Sequence, residues 1–98
     1  MENNLFSVII TTHNSSHYID RTIKSVIKQN FKNYEIILVD DCSDDRTIDL
    51  VKKNYSNTIK IFSTKKNFGG PAKSRNIGIQ NSNGIWISFL DGDDYWFQ

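Results

Sequence analysis

An α/β fold built on a parallel sheet is what this sequence predicts, and three observations predict it. Apolar, β-branched runs alternate with segments whose apolar residues recur at helical spacing, in the order β-α-β-α-β-α-β. The run Glu35-Ile-Ile-Leu-Val39 is apolar at nearly every position, as a strand covered on both faces should be. Acidic residues follow directly on two of the runs, at the strand ends where open parallel sheets hold their ligands. The expected architecture is three-layer α/β/α with a mostly parallel sheet.

Each element has its own local reason. Phe6-Ser-Val-Ile-Ile-Thr-Thr12 is β-branched and apolar, a first strand. Ser15 or Ser16 can cap a helix carrying Ile19, Ile23, Val26 and Ile27 at helical spacing. Asp20 and Lys24 form a favourable pair one turn apart, and Arg21, Lys24 and Lys28 read as a solvated face. Glu35–Val39 is the second strand. Ser43 can cap a second helix, with Asp44 and Asp45 in its first turn and Ile48, Val51 and Tyr55 on one side. Thr58-Ile-Lys-Ile-Phe62 alternates and suits an edge strand. Gly69-Gly70-Pro71 marks the start of a third helix, in which Ala72, Asn76 and Ile79 share a face and which Gly84 ends. Ile85-Trp-Ile-Ser-Phe-Leu90 reads as a buried fourth strand.

Right-handed crossovers are expected, but the pattern leaves the strand order open. The order 3-2-1-4 would make the carboxyl ends of strands 2, 1 and 4 neighbours. Thr12-His13-Asn14, Asp40-Asp41 and Asp91–Asp94 would then converge on one crevice at the switch point.

Length and charge narrow the function. At 98 residues the chain is a single domain and buries roughly 60–65% of its unfolded surface. A net charge of +1 argues against a general nucleic-acid surface. Seven of the 11 acidic residues fall in Asp40–Asp45 and Asp91–Asp94, so these clusters are local features. The start, Met-Glu-Asn-Asn-Leu-Phe, lacks a secretory signal, and no apolar run approaches the ~20 residues of a membrane helix. The single cysteine, Cys42, cannot form an internal disulfide and reads as a small loop residue. A cytoplasmic location is expected.

The cluster Asp91-Gly-Asp93-Asp94 carries the chemistry. Like charges this close repel unless a cation or shared proton compensates them. Hard carboxylate oxygens favour Mg²⁺ or Mn²⁺, ions that usually arrive with phosphates. No Gly-x-Gly-x-x-Gly follows the first strand, and no Gly-Lys-Ser/Thr phosphate loop, Cys-x-x-Cys or His-Glu-x-x-His is present. A metal-bridged diphosphate is the expected ligand. His17 reads as a surface residue. His13, at the mouth of the first strand, is open to either a base-contacting or a structural role. Two rivals fit less well. A receiver-like signalling module needs a phosphoacceptor and a lysine at a later strand end, but Asp40-Asp41 follow the second strand. A nucleotidyltransferase carries a Gly-rich basic loop after strand 1, and Thr11-Thr-His-Asn-Ser-Ser16 is neither.

Five segments in order, Ser7-Val-Ile-Ile-Thr-Thr-His-Asn14, Ser25-Val-Ile-Lys-Gln29, Val39-Asp-Asp-Cys-Ser-Asp-Asp-Arg-Thr47, Ala72-Lys-Ser-Arg-Asn-Ile-Gly-Ile79 and Asp91-Gly-Asp-Asp94, resemble the family 2 glycosyltransferases across essentially the whole chain. These are inverting transferases of the GT-A fold that use sugar nucleotides. The resemblance implies that Thr12, His13 and Asn14 lie against the nucleotide. Asp41 would accept a hydrogen bond from the base, with Asp40 supporting the loop. Lys73 and Arg75 would approach the nucleotide from the third helix. Asp91 would face the ribose or the metal, Asp93 would be the main ligand of Mn²⁺ or Mg²⁺, and Asp94 a further metal candidate. The chain departs from the family pattern at Thr11, where proline is common, at His13, where tyrosine is, and at Cys42, where glycine is.

The implied donor is a UDP-sugar, the acceptor a sugar or lipid-linked sugar in cell-envelope synthesis, and the location the cytoplasm or the inner membrane face. The family places its catalytic base and acceptor-binding half beyond the position of Gln98. Residues 1–98 are therefore expected to be the nucleotide-binding subdomain of a longer enzyme, inactive alone. Self-association through the fourth strand or Tyr95-Trp96-Phe97 is expected as well.

Overall fold

In the computed structural model, residues 5–29, 33–64 and 72–94 are described. The Gly69–Pro71 segment and the Tyr95–Phe97 aromatics lie outside them. The described elements follow the expected alternation: β1 (Phe6–Thr12), α1 (Ile19–Ile27), β2 (Tyr34–Asp40), α2 (Thr47–Tyr55), β3 (Ile59–Ser63), α3 (Ala72–Gln80) and β4 (Trp86–Asp91). All three strand pairs are parallel and the order is β3-β2-β1-β4. The register places Thr12 opposite Asp40 and Thr11 opposite Asp91, so both acidic strand ends flank the end of β1.

Strand alternation sorts the side chains into two layers of unequal weight. Val8, Ile10, Ile36, Leu38, Ile59 and Leu90 face α1 and α2, where Ile19, Ile23, Val26 and Val51 complete a buried cluster. Ile9, Ile37 and Val39 face α3, packed with the half-buried Phe62 and Ile77. At roughly 1.5–3 kcal/mol per buried aliphatic side chain, the α1/α2 side supplies most of the hydrophobic stabilisation.

Several local expectations need correction. Neither α1 nor α2 has a side-chain cap: they start after Tyr18 and Arg46. Ser15 gives its carbonyl to the N–H groups of Tyr18 and Ile19, while its hydroxyl turns back to the His13 carbonyl. Ser43 serves Asp40 instead, and Asp44 and Asp45 precede α2, whose first turn holds Asp49. In α1 the stripe rotates slightly, so Thr22 is buried and Ile27 is exposed. The expected Asp20–Lys24 pair forms at 2.9 Å on the exposed surface, where it contributes little.

The buried face of α3 is Ser74 and Gly78, not Ala72, Asn76 and Ile79. The helix lies so close to the sheet that a Cβ on Gly78 would sit 2.4 Å from Ile9 Cγ2. Small residues set that spacing, and apolar periodicity does not reveal it. The helix ends at Gln80, where the Asn81 and Ser82 side chains donate to the carbonyls of Ile77 and Ile79. Gly84 lies further on and allows close approach to β1: its Cβ would meet Ser7 Oγ at 2.4 Å. β4 is an edge strand with only Leu90 buried, leaving Ile85, Trp86, Ile87 and Phe89 exposed rather than covered.

At the opposite end of the sheet from the acidic loops, Glu35 ties three strands together. Its carboxylate accepts the Ser7 hydroxyl (2.6 Å), the Asn83 N–H (2.7 Å) and Lys60 Nζ (2.9 Å). The Ser7 hydroxyl in turn accepts the Gly84 N–H. Burial alone would push the Glu35 pKa up, but the Asn83, Ser7 and Lys60 contacts together hold it below the ordinary glutamate value.

A depressed folded-state pKa stabilises the fold above the ordinary glutamate value, and that contribution disappears as pH falls through the folded value. Urea midpoints of the wild type are therefore expected to drop on acidification through the carboxylate range, with a shallower drop for Glu35→Gln. Gly78→Ala is expected to cost stability: overpacking against Ile9, roughly 1–3 kcal/mol, outweighs a helix-propensity gain of at most about 1 kcal/mol. Denaturant unfolding at neutral pH checks the sign.

Candidate functional site

The carboxyl ends of the parallel strands form one edge, and the loops leaving it are fastened to one another. With strands roughly 4.8 Å apart, the ends of β2 and β4 lie only about 10 Å from each other across β1. Helices returning antiparallel to the strands begin at this edge, so the first turn of α3, with Lys73 exposed and Arg75 half-buried, opens beside it.

The loops after β1 and β2 are laced by side chain–backbone bonds. Asn14 Oδ1 accepts the N–H groups of Asp44 (2.8 Å) and Asp45 (3.3 Å), and the Asn14 N–H donates to Ser43 Oγ (2.8 Å). The Ser15 N–H donates to Thr47 Oγ1 and the Ser16 N–H to Asp45 Oδ2. Asp45 is partly desolvated, which would raise its pKa. The Thr47 hydroxyl and the Ser16 and Thr47 N–H groups outweigh this and bring it down to about 2. The lacing holds while Asp45 stays ionised and weakens only as pH falls toward that value.

Asn14 and Cys42 both have φ near 50°, the left-handed region that asparagine tolerates and cysteine rarely adopts. Cys42 stands where the family commonly has glycine, and the chain keeps the glycine-like geometry there.

Asp40 and Asp41 are buried at the end of β2. Both Asp40 oxygens accept from Ser43, one from its N–H and one from its hydroxyl. The Asp41 N–H continues the ladder to the Thr12 carbonyl, and Asp41 Oδ1 accepts the Thr64 hydroxyl at 3.0 Å. His13 Nδ1 lies 2.5 Å from the Asp41 carbonyl. A carbonyl only accepts, so the proton sits on Nδ1, leaving Nε2 to accept from the Asn14 amide. His17 is exposed on the surface, against Tyr18.

After β4, the loop crosses directly over the end of β1. The Gly92 N–H donates to the Thr11 carbonyl, and a Cβ on Gly92 would lie 2.6 Å from Thr12 Oγ1. Only glycine fits that crossing. The same contact leaves Thr12 Oγ1 buried without a hydrogen-bond partner. Beyond it, one carboxylate oxygen each from Asp91, Asp93 and Asp94 lie within 4.8 Å of one another, all exposed. This hard, all-oxygen, solvent-open set fits a divalent cation that keeps waters or takes phosphate oxygens. Asp91 Oδ1 also accepts the Thr11 hydroxyl at 3.3 Å. Arg75 Nη2 is 3.9 Å from the same oxygen, with its guanidinium 5.5 Å above the Phe89 ring.

Sequence reasoning missed the residues that hold the backbone here. Arg21, read as part of a solvated face, donates to the Asp93 carbonyl, and Thr22 donates into the same loop. Thr47 and Thr64 were missed too. Their only sequence signal is a small hydroxyl residue just past a strand or inside an apolar stripe.

Comparison with known proteins identifies the family and the fold. Residues 7–98 match the model of glycosyl transferase family 2. Over 94 residues the chain is 42% identical to the poly(ribitol-phosphate) beta-N-acetylglucosaminyltransferase TarS of Staphylococcus aureus, covering 92% of this chain and 16% of that protein. It is 40% identical to WfaP of Escherichia coli, a UDP-Glc:alpha-D-GlcNAc-diphosphoundecaprenol beta-1,3-glucosyltransferase, covering 94% of this chain and 36% of that one. The crystal structure of S. aureus TarS 1–349 in complex with UDP superposes with a TM-score of 0.85 at 41% identity, over 92% of this chain and 28% of that chain. The mannosyltransferase PcManGT of Pyrobaculum calidifontis shares the fold at a TM-score of 0.86 and 20% identity, over 98% of this chain and 29% of that one. The chain thus spans between about a sixth and little more than a third of the length of these relatives. By its sequence, its sheet order and the loops gathered at its strand ends, it belongs to glycosyl transferase family 2.

Proposed function

We propose that this chain binds the donor of an inverting glycosyl transfer, a nucleotide-diphospho-sugar with UDP as its nucleotide. The single observation that carries the reading is the carboxylate set Asp91, Asp93 and Asp94, lying next to a laced pair of loops at one sheet edge. UDP is favoured because TarS, at 41% identity, has been solved with UDP and with UDP-GlcNAc. WfaP is likewise named for a UDP-sugar donor.

In this reading the base lies against Thr12, His13 and Asn14, and Asp41 accepts from it with its second carboxylate oxygen. Asp40 stiffens the loop from beneath. Arg75 and Lys73 supply positive charge toward the nucleotide from α3. Asp91, Asp93 and Asp94 hold Mn²⁺ or Mg²⁺, which when bound neutralises charge developing on the diphosphate leaving group.

Transfer also needs a base. The acceptor oxygen attacks the anomeric carbon, the bond to the diphosphate oxygen breaks, and a carboxylate takes the acceptor proton. Asp40, Asp41 and Asp45 already accept structural hydrogen bonds, and the carboxylates of the Asp91–Asp94 loop are assigned to the metal. In this reading the base lies beyond Gln98, where the family resemblance places it. The names of TarS and WfaP favour a cell-envelope glycan and a sugar or lipid-linked acceptor. That chemistry belongs on the cytoplasmic side, with the enzyme soluble or peripheral at the inner membrane face. No helix among the described residues is long and apolar enough to cross a membrane. The exposed face of β4 is a candidate for self-association.

Calorimetric titration with UDP is expected to show binding that requires Mn²⁺, disappears with a chelator and weakens at least about tenfold in Asp93→Asn. Equal UDP affinity in chelator would overturn the metal reading. Residues 1–98 alone, given UDP-sugar and Mn²⁺, are expected to release UDP no faster than buffer. Sustained turnover would show that the base lies within them.

A further inference from the structure

The Asp91–Asp94 loop is held from behind by two consecutive residues of α1. Thr22 is fully buried, and its Oγ1 lies 2.8 Å from the Gly92 carbonyl and in close contact with the Asp94 carbonyl. Arg21 Nη2 lies 3.3 Å from the carbonyl of Asp93. Three successive carbonyls thus meet α1, while the carboxylates of Asp91, Asp93 and Asp94 stay exposed. A hydroxyl has one proton, so Thr22 shares it between the two loop carbonyls, with its helical neighbour, the Tyr18 carbonyl 3.2 Å away, as the alternative.

Without a cation the three carboxylates repel, and an unrestrained loop would relax by spreading them apart. We propose that Thr22, with Arg21 beside it, is the positioning residue that presets this loop for a divalent cation, rather than a core filler. The proposal rests on the metal reading above. Thr22 bonds backbone carbonyls on both sides of Asp93 and so acts through the backbone, as outer-shell partners of a metal site do. Helix α1 thereby becomes part of the site through the backbone it holds.

The test compares wild type, Thr22→Val and Thr22→Ser by two readouts. The first is metal-free amide hydrogen exchange at Gly92 and Asp94, whose N–H groups bond the Thr11 and Asp91 carbonyls. The second is Mn²⁺ affinity by calorimetry. Valine keeps the volume and removes the proton; serine keeps the proton. In the valine variant, exchange at Gly92 and Asp94 is expected to accelerate while Ile10 and Leu38 stay protected. Its Mn²⁺ affinity is expected to fall about 10–100-fold, with serine close to wild type. Wild-type Mn²⁺ affinity in the valine variant overturns the proposal, as does faster exchange spread evenly through the core. Failure of the wild type itself to bind Mn²⁺ overturns the metal reading, and this proposal with it.

Discussion

Parallel pairing of β1 on both sides is the constraint on which the rest of this structure depends. The ladder sets Thr12 beside Asp40 and Thr11 beside Asp91, so the strand ends of β2 and β4 must share an edge. Because a helix follows each of β1, β2 and β3, the starts of α1, α2 and α3 gather at the same edge. Nothing else in the fold would bring residues about 50 positions apart in sequence to neighbouring strand ends. A one-residue slip of β4 would also turn Leu90 out of the α1/α2 core, so the hydrophobic layer enforces the register that the site needs.

Given that edge, the loops are fixed by hydrogen bonds between side chains and backbone, and little by hydrophobic burial. Asn14 and Ser43 join the first two loops, Thr64 reaches Asp41 from the third, and Thr22 and Arg21 hold the last. Such bonds are each worth only about 1 kcal/mol net, but an unmade bond at a buried carbonyl costs more than a made one gains. The lacing is therefore stiff. It also divides labour: Asp40 and Asp45 are structural carboxylates, whereas Asp93 and Asp94 face solvent.

Much of this was legible in the sequence, and what was not has a physical reason. Strand and helix existence followed from periodicity, and the 3-2-1-4 order was the one that made the acidic segments meet. Helix caps were misread because Ser15, Ser16 and Ser43 are good capping residues in isolation, yet the Ser15 hydroxyl bonds the His13 carbonyl and the Ser43 hydroxyl bonds Asp40 instead. The α3 face was misread because close packing selects Ser74 and Gly78, residues that carry no hydrophobic signal. β4 was misread as buried from its apolar composition, although the 3-2-1-4 order already placed it at an edge. Arg21 and Thr22 were invisible because their partners are backbone carbonyls 70 or more positions away.

The charge balance at the sheet edge follows from these contacts. Arg75 is the described cation paired with the cluster, but 3.9 Å from a half-exposed carboxylate is a loose contact, worth little in solvent. Its guanidinium lies over the Phe89 ring, and its Nε is buried with no hydrogen-bond partner among the described residues. Arg21 donates to the Asp93 carbonyl. Arg75 alone does not neutralise three carboxylates gathered within 4.8 Å. A divalent ion would do so, and a diphosphate on that ion would bring negative charge back within reach of Arg75. The same loose pairing that gives Arg75 little value as a salt bridge leaves it able to turn toward an incoming anion.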